Sequence, residues 1–146
     1  MVVLNDIELI TCLRLLNLFG IGEFYFSNIY MTKHYLTVAE RQSLIELSGQ
    51  EKIVLFESGE GFYNFFGESK NEKSPIGLPG MSSIYYAKEN KLPLVTRCKL
   101  TKKIADKNGV LVCNYDEALK LLNTQQVQID YINKILNMME NNQNLS

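Results

Sequence analysis

The sequence predicts an α/β domain: a three-layer sandwich in which helices flank a central, mainly parallel sheet. Three observations predict it. Short apolar runs rich in strand formers recur, as at residues 2–4, 52–57 and 93–96. Segments with apolar residues at helical spacing stand between them. The two kinds of segment alternate from end to end, the pattern of a parallel sheet covered on both faces and joined by right-handed crossovers.

The first strand, residues 2–4, stops at Asn5 and Asp6. Asp6 stands where a helix begins, and an acid suits a first turn. Leu9, Ile10, Leu13 and Leu16 recur at helical spacing, and Gly20 is expected to close that helix. Residues 24–31 are a second apolar stretch, expected to end in a strand at IYMT. Residues 33–47 read as a helix with Leu36, Leu44, Ile45 and Leu47 inward, ended by Gly49. Residues 52–57 are a strand. Residues 58–80 break the pattern with Gly59, Gly61, Gly67, Gly77, Gly80, Pro75 and Pro79 around the polar run ESKNEKS. Within them the FYNFF cluster suits one or two helical turns.

Ser82 is expected to cap a helix running to Lys91, with Ile84, Tyr85 and Ala87 inward. Residues 93–96 are a strand and residues 99–107 a helix. Asn108-Gly109 stops that helix, and residues 110–113 form the next strand. Residues 116–122 are a short helix. Residues 126–140 form an amphipathic helix with Val127, Ile129, Ile132, Ile135, Leu136 and Met139 on one side. The tail NNQNLS reads as frayed. No internal repeat is visible. The expected organisation is one α/β domain over residues 1–123, with the helix and tail of residues 124–146 packing on it or on a partner subunit.

Size and composition agree with this. A chain of 146 residues, 46% hydrophobic and 21% charged, is long enough for one domain that buries roughly 70% of its unfolded surface. A net charge of −1 points to no polyanionic partner for the molecule as a whole, so any basic surface is local. Cys12, Cys98 and Cys113 are odd in number and form no C-x-x-C pair, which suits free thiols in a reducing compartment. The apolar N-terminal stretch is interrupted by Asp6, Glu8 and Arg14, unlike a signal peptide or a membrane span. A cytoplasmic location is the expectation.

Functional groups of an open parallel sheet collect beyond the carboxyl ends of its strands. Asp6, Cys98 and the region after Thr32 occupy such places, and Met81 is expected to open a helix. Four segments carry a resemblance. VVLNDIELI, MTKHYLTV, PGMSSIYYAKE and LVTRCKLTKKIA resemble, in order and spacing, the acid-bearing segments of the PIN-domain family of metal-dependent ribonucleases. The resemblance covers most of residues 1–123 and implies a PIN-like fold. Asp6 matches the family's first acidic ligand. The other acid positions fall on Val38, Met81 and Cys98. Ser83 and Ala87 match the small residues that follow the third acid, and Thr96 matches the threonine before the last.

The family's chemistry uses Mg²⁺ or Mn²⁺ to polarise phosphate and activate water. Hard cations of this kind need oxygen ligands, mostly carboxylates. Methionine offers a thioether, valine offers nothing, and a cysteine thiol suits softer metals. Glu8 follows Asp6 by two residues, and Glu40 follows Val38 by two. Both are candidate substitute acids, although two residues is about 200° on a helix and turns Glu40 away from the Val38 direction.

Lys88, Lys91, Arg97, Lys99, Lys102, Lys103 and Lys107 fall in one short stretch against Glu89 and Asp106. This stripe reads either as a phosphate-contacting surface or as the solvated face of two helices. Phe62, Tyr63, Phe65 and Phe66 either stack on unpaired bases or anchor a loop on the core. His34, the one histidine, has no nucleophile in a recognisable motif beside it. The three cysteines match no zinc spacing, and GEGFYNFFGES lacks the lysine and the strand–helix context of a phosphate loop.

The expected function is that of a degenerate, non-catalytic PIN-like domain binding RNA or a protein, with no cofactor. The resemblance implies a homodimer. The alternative is a Mg²⁺- or Mn²⁺-dependent endoribonuclease of toxin type that uses Asp6 with Glu8 and Glu40. A purely structural or dimerisation role is a third reading.

Overall fold

The computed structural model describes residues 1–19, 24–32, 34–68, 76–121 and 124–145. Gly20, Lys33, Pro75 and most of the ESKNEKS run, on which sequence expectations fell, lie outside the described residues. The elements in chain order are β1 (Val2–Leu4), α1 (Ile7–Leu15), β2 (Phe24–Ser27), α2 (Val38–Gly49), β3 (Val54–Phe56) and α3 (Glu60–Glu68). They continue with α4 (Gly77–Asn90), β4 (Leu94–Val95), α5 (Lys99–Lys107), β5 (Val112–Cys113), α6 (Tyr115–Leu121) and α7 (Gln126–Leu145).

The five strands form one sheet in the order β3-β2-β1-β4-β5, and every pair is parallel. The predicted α/β sandwich is therefore what the chain forms. Strand β1 is central: Val3 pairs with Tyr25 on one side and Leu94 on the other. Its side chains alternate between layers, as strand geometry requires. Val2 and Leu4 join Leu9, Leu13, Phe26, Leu44, Ile132 and Leu136 in the core under α1, α2, α6 and α7. Val3 joins Phe56, Phe62, Met81, Ile84, Leu94 and Ile104 under α3, α4 and α5. The chain winds outward from β1 to β3, then crosses back to lay β4 against the other side of β1. The carboxyl ends of β1 and β4 thus flank the place where the winding direction reverses, the crevice that open α/β sheets use for ligands.

Four helices end in one way. A residue in the left-handed conformation follows the last turn, and its amide and that of the next residue donate to carbonyls of that turn. Asn17 (φ 53°) ends α1, with Leu18 N donating to Leu13 O at 2.9 Å. Glu51 (φ 60°) does the same for α2, Lys91 (φ 54°) for α4 and Gly109 (φ 74°) for α5. Gly109 was legible as a stop. At α1 and α2 the stop is made by Asn17 and Glu51, rather than by Gly20 and Gly49 as glycine preference predicts.

Other expectations are corrected by local hydrogen bonding. The NIYM stretch is a 3-10 turn, Asn28–Met31, rather than a strand, because Ser27 Oγ accepts from Ile29 N and turns the chain. Helix α2 starts at Val38, fixed by a capping box in which Thr37 Oγ1 accepts from Glu40 N and Glu40 Oε1 accepts from Thr37 N. Helix α4 opens at Gly77 rather than at Ser82, since Pro79 loses no hydrogen bond in a first turn. Ser82 is buried inside α4. Its hydroxyl donates to Pro79 O, so Ser27 Oγ, 2.6 Å away, must be the donor between the two serines. Helix α7 runs on to Leu145 instead of fraying after Glu140.

Candidate functional site

Asp6 sits at the extended residue before α1, yet its carboxylate does not cap that helix. It turns across the switch point. Oδ1 accepts from the Thr96 hydroxyl at 2.8 Å, and Oδ2 accepts from Arg97 N at 2.8 Å and the Tyr115 hydroxyl at 2.5 Å. Thr96 Oγ1 in turn accepts from Cys98 N. Burial first, then the Asp6 charge and its hydrogen bond, push the Tyr115 phenol far above its ordinary range. Tyr115 is therefore a fixed donor.

Arg97 ties this cluster to the C-terminal helix. Its guanidinium lies 5.5 Å from the Tyr115 ring centroid and pairs with Glu140 on α7 at 2.8 Å. A cleft of about 280 Å³ opens between Asp6, Glu8, Arg97, Cys98 and Tyr115, walled by Leu136, Met139 and Glu140 of α7. An adjoining cleft of about 330 Å³ runs under Tyr30 and Tyr35 to Thr101. Acids outnumber bases around both. Glu8 shows the effect: burial, then the charges of Asp6 and Glu40, raise its carboxyl above the usual range, against opposition from a backbone hydrogen bond and Arg97.

The positions that match the family's acids are scattered. Val38 opens α2 and is 74% exposed. Met81 lies in the fifth position of α4, 0% exposed, in the core shared with Ile84 and Leu94 rather than at a helix opening. Only Cys98, exposed at the start of α5, lies beside Asp6. Glu40 is held by its capping box. Among the described residues, no three His, Cys, Asp or Glu side chains come together as a group able to hold a metal ion. With both Asp6 oxygens already accepting hydrogen bonds, the residues present do not fit a Mg²⁺ or Mn²⁺ centre.

The basic stripe divides. Lys99, Lys102 and Lys103 lie exposed on α5, and among the described residues they form no ion pair. Lys88 and Lys91 sit at the far end of α4, in a groove with Gly109 and Val110 at the amino ends of β4 and β5. The Lys88 ammonium there lies 5.8 Å from the Phe65 ring centroid. Of the aromatic cluster, Phe62 is buried, and Phe65 packs on Tyr85 with centroids 5.2 Å apart, so it anchors α3 on α4. Cys12 and Cys113 are buried and His34 is exposed.

The sequence reading missed Tyr115, Asn5, Tyr30, Thr101 and Glu140. Asn5 had a signal, its place beside Asp6 at a strand end. The others come from helices and turns far away in the chain. No protein-family model, curated protein or solved structure matches the chain. No helix among the described residues is long and apolar enough to cross a membrane.

Proposed function

We propose that this chain is a PIN-like domain without a catalytic metal centre and that it acts by binding RNA. The loss of catalysis rests on Asp6, the one acid left at the family's positions. Its carboxylate serves as a structural acceptor for Thr96, Arg97 and Tyr115. The binding role rests on α5, which begins at the crevice rim and exposes Lys99, Lys102 and Lys103, none of them in an ion pair among the described residues. Such lysines on one helix face are the electrostatic footprint of phosphate contact.

Fluorescence anisotropy with a single-stranded RNA tests the reading. The variant Lys99→Glu/Lys102→Glu/Lys103→Glu loses most of the affinity and flattens its salt dependence, while Lys88→Glu/Lys91→Glu leaves both largely intact. Equal binding by wild type and the α5 variant would sink it.

A metal-dependent ribonuclease using Asp6, Glu8 and Glu40 has one observation in its favour: beside burial, which contributes most, the charges of both Asp6 and Glu40 reach Glu8 and raise its carboxyl. Mn²⁺-dependent cleavage of RNA, abolished by Glu8→Gln, is the result that favours it over the binding role.

A further inference from the structure

The cleft under Tyr30 and Tyr35 has polar atoms left over. It holds about 330 Å³ beyond the carboxyl ends of β1 and β2, against the start of α5. Asn5 is 9% exposed and Thr101 1% exposed, and both line it. Asn5 Oδ1 accepts from the Tyr30 hydroxyl at 2.7 Å, which leaves Nδ2 with no acceptor among the described residues. Thr11 turns its hydroxyl back onto Ile7 O, the usual resort of a helical threonine. Thr101 does not, and its hydroxyl has no partner among the described residues. No sealed side-chain N or O among the described residues lacks a partner, so neither group is wholly shut off from solvent, and both residues line the cleft. Buried polar groups are normally paired. Two unpaired ones that face the same space are a place where a ligand completes the hydrogen bonding.

The rest of the lining narrows the ligand. Glu8 supplies a carboxylate with two acceptor oxygens, and Tyr30 and Tyr35 supply flat rings. The negative charge of Glu8 and Asp6 repels a phosphate from this space. A neutral planar heterocycle with a carbonyl beside N–H donors suits it. The carbonyl accepts from Asn5 Nδ2 and from the Thr101 hydroxyl, the N–H groups donate to Glu8, and the ring packs on tyrosine. Guanine carries that edge: O6, then N1–H, then the N2 amino group. Adenine carries no carbonyl there.

The geometry points to a guanine-type base as the ligand of this cleft. The RNA-binding reading enters only for the source of the base, either a free nucleoside or an unpaired residue of a strand whose phosphates lie along α5.

Isothermal titration of the full chain separates these. Guanosine binds, and adenosine binds about tenfold or more weakly. Glu8→Gln and Thr101→Val, each shown folded by circular dichroism, weaken guanosine to a similar degree. No guanosine binding, or guanosine and adenosine binding alike with both variants silent, overturns the proposal. A short oligouridylate with and without one central guanosine then reports the source. Tighter binding of the guanosine-containing strand than of the free nucleoside supports a base within RNA. Guanosine binding with neither strand bound keeps the pocket and sinks the RNA-binding reading. Equal binding of both strands, lost in the α5 variant, keeps RNA binding and counts against the pocket.

Discussion

Tyr115 donates its phenolic hydrogen to Asp6 across 109 positions of the chain. The bond joins the start of α6, on one edge strand's side of the sheet, to the end of its central strand. It makes the site's one aligned acid part of the fold's framework. Tyr115→Phe removes the donor and is expected to cost about 1–2 kcal/mol. Asp6→Ala leaves Thr96, Arg97 N and Tyr115 without their acceptor and costs more, about 2–3 kcal/mol. Urea unfolding monitored by circular dichroism measures both. An Asp6→Ala chain as stable as wild type would contradict the structural role.

The same bond sets an alkaline limit. The Tyr115 phenol is held above its ordinary value of 10.0 in the folded chain. Below about pH 10 both folded and unfolded states keep the proton, and its contribution is fully present. Above that, the unfolded chain ionises first and stability falls. Tyr115→Phe loses less stability than wild type between pH 9 and 11 on the order of one proton's dependence, read from unfolding midpoints across that window.

Glu8 works in the opposite region. Its carboxyl is raised above 4.5, so ionising it costs the folded state. That cost is absent below the ordinary carboxylate range, where both states are protonated, and is felt as pH rises through and above it. Glu8→Gln is therefore more stable than wild type at neutral pH, and the difference disappears on acidification. Thermal unfolding at pH 7 and at pH 3 gives the two values.

Glu51 and Lys91 hold left-handed backbone that glycine adopts without strain. Glu51→Gly and Lys91→Gly should each add about 0.5–1 kcal/mol of stability, despite the extra freedom of an unfolded glycine. Gly109→Ala, at φ 74°, should lose a similar amount. Chemical denaturation of the three variants checks the sign.

Much of this fold was legible. The boundaries of α5 follow from its amphipathic lysine-rich pattern and the Asn108-Gly109 stop, whereas the α2 start, although written in the Thr37-x-x-Glu40 box, was read as residue 33. Those signals lie within a few residues. The NIYM turn was misread because a hydroxyl at Ser27, rather than strand propensity, decides it. Met81 was assigned to the site because PGMSSIYYAKE resembles a segment in which a helix opens with an acid. With the start at Gly77 the same residue is turned into the core. The Asp6 cluster was half visible: its acid and Thr96 stand at strand ends, while Tyr115 reads in sequence as one more core aromatic.

That inward placement bears on any attempt to restore a metal site. Met81→Asp puts an unpaired carboxylate among Val3, Ile84 and Leu94 and should cost more than about 3 kcal/mol. Cys98→Asp, at an exposed position, should be nearly neutral for stability. Unfolding curves of the two single variants separate them, and a well-folded Met81→Asp chain would contradict the core position.

The partners of Asp6 lie 90, 91 and 109 positions later in the chain. A ribosome makes them in that order. The acid that ends the first strand therefore stays unclaimed until Thr96 and Arg97 are made, and its set of partners is complete only with Tyr115. The Asp6 knot is a late event in the protein's biogenesis, and a nascent chain stalled before Thr96 carries an open carboxylate where the finished molecule carries a closed one.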